Sequence, residues 1–289
     1  KNAGVQYLES NFNPYEYSNN SQAVRSEVTG LNVKCGNITL PVSGLSDPID
    51  ILIRKKNESF EESIYAFQSS SLLGNLTVFQ FFAKKHRSAL SFSLDFNSTL
   101  FPHNVSMFLR VDEPPTSSVY NWAAILPVPE SEKISIPWIN GTFLNSSSYQ
   151  WMLPAEEVNI TQSDVDDLTK YYIGVQFGSE EDLALRDIVD FTLYVFESSC
   201  VFFDEDTHLW RYDGCKEGLL SNITHIHCRC DHLTKFAAFV APNPLNIQEI
   251  LSDFTLLLEN PLGLIGVLTV FVLYIPGMLW SRKTDRKDL

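Results

Sequence analysis

His232-Leu233-Thr234 is the run of this sequence whose residue types and order could break a bond. The Thr234 hydroxyl can attack the carbonyl carbon of Leu233 through a five-membered ring. Such an N→O acyl shift exchanges an amide for an ester, which water then opens. The hydroxyl must lose its proton to a base, and His232, with an ordinary pKa near 6.5, is the available group. In an extended strand, residues i and i+2 share a face about 6.5–7 Å apart, too far for proton transfer. The chain is therefore expected to bend at Leu233, with neighbouring cystines holding the strain. On this reading His232 is the general base, Thr234 the nucleophile and Leu233–Thr234 the scissile bond. The competing reading is an uncleaved turn.

Four of the five cysteines, Cys200, Cys215, Cys228 and Cys230, fall within thirty-one positions just before this run. In an oxidising compartment they should form two disulfides. A Cys228–Cys230 bond would close a small strained ring. The other two connectivities both tie early to late, and spacing does not choose between them. Cys35 stands apart, as a buried thiol or as the partner of a cysteine elsewhere. His225, His227, Cys228, Cys230 and His232 look like zinc ligands on paper, but a secretory setting favours cystine and i, i+2 ligands do not close a tetrahedron alone. The expectation is no metal and no cofactor. The run 228–234 thus sits in a disulfide-stapled segment that needs a rigid frame.

That frame reads as strands. Ile49-Ile51-Ile53, Leu76-Val78-Gln80-Phe82, Leu90-Phe92-Leu94-Phe96, Val105-Met107-Leu109-Val111 and Tyr171-Ile173-Val175-Phe177 alternate with polar or smaller residues. This is the pattern of half-buried strands, and with turn residues between them it predicts a β-sandwich. Thr234–Ala241 is apolar on both faces (Phe236, Ala238 and Val240 against Ala237 and Phe239), as in a central strand. Fragments produced by a cut at Leu233–Thr234 are therefore expected to stay associated. The acidic stretches 155–168 and 179–187 read as short helices or solvated loops; they lack the glycine and terminal glutamate of a calcium loop. Residues 1–30 have weak periodicity and read as an entering segment or an incomplete upstream domain.

After Asn243-Pro244 the period becomes helical. Ile247, Ile250, Leu251, Phe254, Leu257 and Leu258 line one face, predicting an amphipathic helix over 243–259. The run 262–280 is nineteen residues with no charge, about 28 Å as a helix, and predicts a span of the lipid bilayer. Arg282, Lys283, Arg286 and Lys287 follow it, so 282–289 should be cytoplasmic and 1–259 outside. Sequons test that orientation. Asn19, Asn37, Asn57, Asn75, Asn97, Asn104, Asn140, Asn145, Asn159 and Asn222 each begin Asn-x-Ser/Thr, all before the apolar run. Chance would give about three, so these asparagines are candidate glycosylation sites of a secretory-pathway ectodomain. The net charge is −14. Nucleic acid is a poor partner for that sign. The chain opens on Lys1 with no signal peptide and is expected to be an internal piece of a longer protein.

Cys200, Trp210, Cys215, Cys228-Arg229-Cys230-Asp231-His232-Leu233-Thr234 and Phe236-Ala237 resemble the GPCR proteolysis site, the C-terminal motif of a GAIN domain. Phe203 replaces the first tryptophan common in that family. The resemblance implies disulfides Cys200–Cys228 and Cys215–Cys230, a GAIN sandwich over 31–242 with its motif at 200–241, and cleavage at Leu233–Thr234. Asn13-Pro14-Tyr15 and the run Trp280–Asp288 resemble the polycystin-1-like branch, where such a tail leads into a PLAT domain. The implied protein is multi-pass, in the plasma or ciliary membrane, and joins polycystin-2-type channel subunits under the control of an unknown extracellular ligand. An adhesion GPCR is the alternative. Apart from self-cleavage no enzyme is expected, because no nucleophile elbow, phosphate loop or metalloprotease helix is present.

Overall fold

In the computed structural model, residues 3–18, 21, 24–36, 38–56, 64–84, 87–96, 104–137, 143–158, 168–179, 187–239 and 274 are described. The chain divides into Lys1–Asn243 and Pro244–Leu289. The first unit is almost entirely β. In chain order its strands are β1 (Ala3–Ser10), β2 (Val28–Cys35), β3 (Ile38–Leu40), β4 (Ile49–Arg54), β5 (Ile64–Leu72) and β6 (Leu76–Lys84). Then come β7 (Ala89–Phe96), β8 (Val105–Val111), β9 (Trp122–Leu126), β10 (Ser135–Pro137), β11 (Phe143–Asn145) and β12 (Gln150–Leu153). A single turn of helix, α1 (Ala155–Val158), precedes β13 (Leu168–Phe177) and β14 (Ile188–Asp204). The last four are β15 (Leu209–Arg211), β16 (Cys215–Glu217), β17 (His225–Cys230) and β18 (Lys235–Phe239).

All five alternating runs of the sequence fall in strands: β4, β6, β7, β8 and β13. The main sheet runs β1-β2-β18-β14-β7-β12, with β3, β5 and β15 attached. A four-stranded sheet, β6-β13-β8-β9, shares with it the largest core, in which Phe81, Phe92, Met107, Leu109, Tyr171, Ile173, Leu193 and Val195 meet. A three-stranded sheet, β16-β17-β4, packs on the other end, through Ile51, Ile53, Ile226, Cys228, Cys200, Phe236 and Ala238. Two small sheets on one large one give the sandwich its layers.

The 17-residue β14 is the spine. Its first half pairs with β5 and β7, and there burial alternates, as expected where one face meets the core and the other meets water. From Phe196 to Val201 every residue is buried, because both faces are covered. The sequence reading did not resolve this strand, since Ser198-Ser199-Cys200 interrupts its apolar alternation. The weakly periodic segment 1–30 contributes β1, paired over its full length with β2, and a turn over residues 13–18. Tyr15 stacks on Phe203 at 3.8 Å and meets Trp210 edge-on at 5.8 Å. Asn13, nearly buried, fixes that turn by accepting the Tyr15 N–H at 2.9 Å.

The amphipathic segment 243–259 and the apolar run 262–280 lie outside the described residues, apart from Tyr274, which is helical and exposed. Among the described residues no helix is long and apolar enough to cross a membrane. Most of the two acidic stretches, 159–167 and 180–186, is also outside them.

Candidate functional site

Disulfides join Cys200 to Cys228 and Cys215 to Cys230, the pairing that the resemblance implies. The first ties the spine β14 to β17 across two layers; the second ties β16 to β17, at positions directly opposite in their ladder. Both ligand-like cysteines of the metal reading are thereby consumed. His227, fully buried, accepts the Leu220 N–H at Nδ1 and meets the Asp50 carboxylate through Nε2 at 2.9 Å. Burial holds its pKa below the ordinary value, with Asp50 pulling the other way. Cys35 is free, half-buried in β2.

β17 ends at Cys230 and β18 begins at Lys235, so Asp231–Thr234 is a turn between strands. The strand spacing that would separate His232 from Thr234 does not apply there. Backbone bonds pin the turn from several sides. Asp231 N–H donates to the Gly214 carbonyl at 2.8 Å, and the Asp231 carbonyl accepts Leu45 N–H at 2.8 Å. Leu233 N–H donates to the Val42 carbonyl at 3.0 Å, and the Thr234 carbonyl accepts Leu31 N–H at 2.9 Å. The His232 ring lies between Phe202, edge-on at 4.3 Å, and Phe236, stacked at 5.5 Å. Both of its ring nitrogens are buried without a hydrogen-bond partner among the described residues. The Thr234 hydroxyl donates to the Phe203 carbonyl at 3.3 Å rather than to His232. The His232 ring is thus unengaged, and the Thr234 hydroxyl is held by a long, weak bond.

β18 follows at once and is threaded between β14 and β2. Phe236, Ala237 and Ala238 are fully buried and Phe239 nearly so. Phe236 and Ala238 enter the core shared with β4 and β17, while Ala237 and Phe239 enter the one built on Trp210, Phe203 and Val201. Past Phe236 the partner changes: Ala238 N–H donates to the Ser26 hydroxyl at 2.7 Å, and the Ala238 carbonyl accepts Arg25 N–H at 3.2 Å. Lys235, at the head of the strand, pairs with Glu205.

Of the residues that hold this site, the sequence reading missed Val42, Leu45, Gly214 and Ser26. Asp213-Gly214 is a legible turn signal. Nothing in the sequence tells that the loop at 42–45, nearly two hundred residues away, folds onto the same turn.

Of the ten sequon asparagines, Asn75, Asn104, Asn145 and Asn222 are described, and all four are exposed. Asn222 Oδ1 accepts from the Thr224 N–H, the Thr224 hydroxyl and the His225 N–H. Asn19, Asn37, Asn57, Asn97, Asn140 and Asn159 lie outside the described residues.

Among solved structures, the chain aligns with structures of infectious bursal disease virus, for example that of the Gt strain. That match has 10% identity, 84% of this chain, 63% of the other and a TM-score of 0.24, too low for a fold argument. Curated relatives are polycystin-1-like. Human polycystin-1-like protein 3 is 23% identical over 96% of this chain, and its mouse counterpart 27% identical over 41%. Polycystin-1-like protein 1 of Oryzias latipes is 23% identical over 94%. The chain spans only 15%, 6% and 9% of those proteins' lengths. The family model for GAIN subdomain B matches residues 93–244. That stretch holds β14 to β18, both disulfides and the His232–Thr234 turn, whereas β2 and β4, which pair with β18 and β17, lie ahead of it. Since the match takes in more than half of the chain, this protein belongs to the GAIN subdomain B family.

Proposed function

We propose that this chain is the membrane-proximal, self-cleaving extracellular module of a polycystin-1-like protein, cut between Leu233 and Thr234. The observation that carries the proposal is the placement of Thr234. It stands where a turn pinned by backbone bonds and adjoining disulfides feeds a strand buried on both faces. Autoproteolysis is the chemistry for which this domain is known. Rotation of Thr234 away from the Phe203 carbonyl frees its hydroxyl, and His232, whose nitrogens have no competing partner among the described residues, takes the proton. The oxygen adds to the Leu233 carbonyl carbon, and the Thr234 nitrogen leaves with a proton. Water then hydrolyses the ester, giving a Leu233 carboxylate and a free Thr234 amine.

Names of the relatives support a polycystin-1-like host over an adhesion GPCR. In that host the apolar run 262–280 crosses the membrane, residues 282–289 are cytoplasmic, and the ectodomain bears N-glycans. The module then couples extracellular events to a polycystin-2-type channel. The test is expression through a secretory pathway followed by reduction, denaturing electrophoresis and N-terminal sequencing. Two fragments are expected, the smaller beginning at Thr234, and Thr234→Ala should run as one band. A single full-length band from the parent chain would end the cleavage reading.

A further inference from the structure

The turn at 231–233 owes its shape to two segments that take no part in bond making or breaking. On one side the loop between β15 and β16 presents the Gly214 carbonyl to Asp231 N–H. On the other, the connection between β3 and β4 presents the Val42 carbonyl to Leu233 N–H and the Leu45 N–H to the Asp231 carbonyl. His232 is therefore flanked on both sides by backbone groups whose positions are fixed. Each segment turns through a glycine in the left-handed region, Gly214 at φ +72° and Gly44 at φ +67°. An L-residue rarely adopts that conformation.

Space separates the two glycines. A Cβ on Gly44 would meet nothing within 4 Å, and the same holds for Gly36 (φ +66°) in the β2–β3 turn. A Cβ on Gly214 would stand 2.4 Å from Asp231 Oδ1, 3.2 Å from Asp231 Cγ and 3.2 Å from His232 Cδ2. The carboxylate oxygen can swing aside. The other two atoms can yield only if the turn, and with it the imidazole, shifts by some tenths of an ångström. We propose that Gly214 is a positioning residue for cleavage, one jaw of a two-sided backbone clamp whose other jaw is the loop 42–45. The inference rests on the proposed cut at Leu233–Thr234. A missing side chain at 214 lets the turn close until His232 stands where the reaction needs it. Misplacement of a catalytic group by about 1 Å costs on the order of 10²-fold in rate, so a shift of a few tenths should slow cleavage about tenfold.

The experiment compares the full chain with Gly214→Ala, Gly36→Ala and Thr234→Ala, all produced through a secretory pathway. The cleaved fraction is followed by pulse-chase, and protease resistance of the uncut chain reports folding. Gly36→Ala carries the same backbone penalty far from the turn and should cleave like the parent. The expected result is about tenfold slower cleavage for Gly214→Ala, with its uncut chain as protease-resistant as Thr234→Ala. Parental cleavage by Gly214→Ala overturns the inference while leaving the cut itself standing. A parent that never cleaves removes the cut first and the clamp with it. Should Gly214→Ala fail to be secreted, Asp231→Ala is added to relieve the closest contact, with Asp231→Ala alone as reference. Recovered secretion and cleavage support the clamp, and continued retention in the cell overturns it in favour of a purely folding role.

Discussion

Replacing Phe236 by alanine removes one of the two phenylalanines of the strand that follows the proposed cut. Phe236 is fully buried among Cys200, Cys228, Ile226 and Ile53, and β18 is hydrogen-bonded on both edges, to β14 over five residue pairs and to β2 over two. If the Leu233–Thr234 bond is cut, both disulfides lie on the N-terminal side, and among the described residues non-covalent contacts such as these hold the fragments together. Burying each phenylalanine contributes about 1.5–3 kcal/mol, and each ladder bond about 0.5–1.5 kcal/mol. The parent complex should therefore stay associated in buffer. A buried Phe→Ala change costs about 3–5 kcal/mol, which is about 10²- to 4 × 10³-fold in the dissociation constant. With a denaturant slope of about 1–3 kcal/mol per molar urea, the release midpoint should fall by at least about 1 M. The assay immobilises the chain through its C-terminal end and measures the N-terminal fragment released across a urea series. Because Phe236 also stacks on His232, only molecules already cut are counted. Thr234→Ala, uncut, should release nothing at any concentration. An unchanged midpoint for Phe236→Ala, or free N-terminal fragment from the parent without urea, would refute the reasoning.

Ser26→Ala leaves the buried Ala238 N–H without its 2.7 Å acceptor, at a cost of about 1–3 kcal/mol, and should lower the same midpoint by less than Phe236→Ala does. Glu217, which accepts the Cys200 N–H at 2.7 Å, is pushed up to about 7 by desolvation. A carboxyl raised in the folded state favours folding fully below its unfolded pKa and loses that contribution as pH rises through about 7. Glu217→Gln keeps the acceptor and removes the charge. It should raise the melting temperature at pH 8, by the equivalent of about 2–3 kcal/mol, and change it little at pH 5; equal effects at both would contradict the assignment. The exposed Asn75, Asn104, Asn145 and Asn222 should each carry an N-glycan. Single Asn→Gln variants should each shed one glycan mass on electrophoresis, and an unshifted band marks an unoccupied site.

Where one face of a strand meets a core and the other meets water, residue type alternates, and so β4, β6, β7, β8 and β13 were legible along the chain. The same holds for β18, where both faces are apolar because both are covered. The four clustered cysteines and the His-Leu-Thr run also declared themselves by residue type, and their resemblance to a proteolysis motif implied the disulfide pairing found here. What local pattern could not carry is anything set by pairing between distant segments. The spine β14 was hidden because its serines and Cys200 are buried by neighbours on both faces rather than by their own hydrophobicity. Tyr15 was singled out only by resemblance, and its packing on Phe203 and Trp210 is a tertiary fact. The bend at Leu233 was expected from the proposed chemistry, with the neighbouring cystines as the one means visible in the sequence. Backbone groups of Val42, Leu45 and Gly214 hold it, and backbone groups are the same in every residue. Sequence thus determined which residue types stand at the proposed site, and tertiary structure decided what holds them, because hydrogen bonds between main chains leave no mark on residue type.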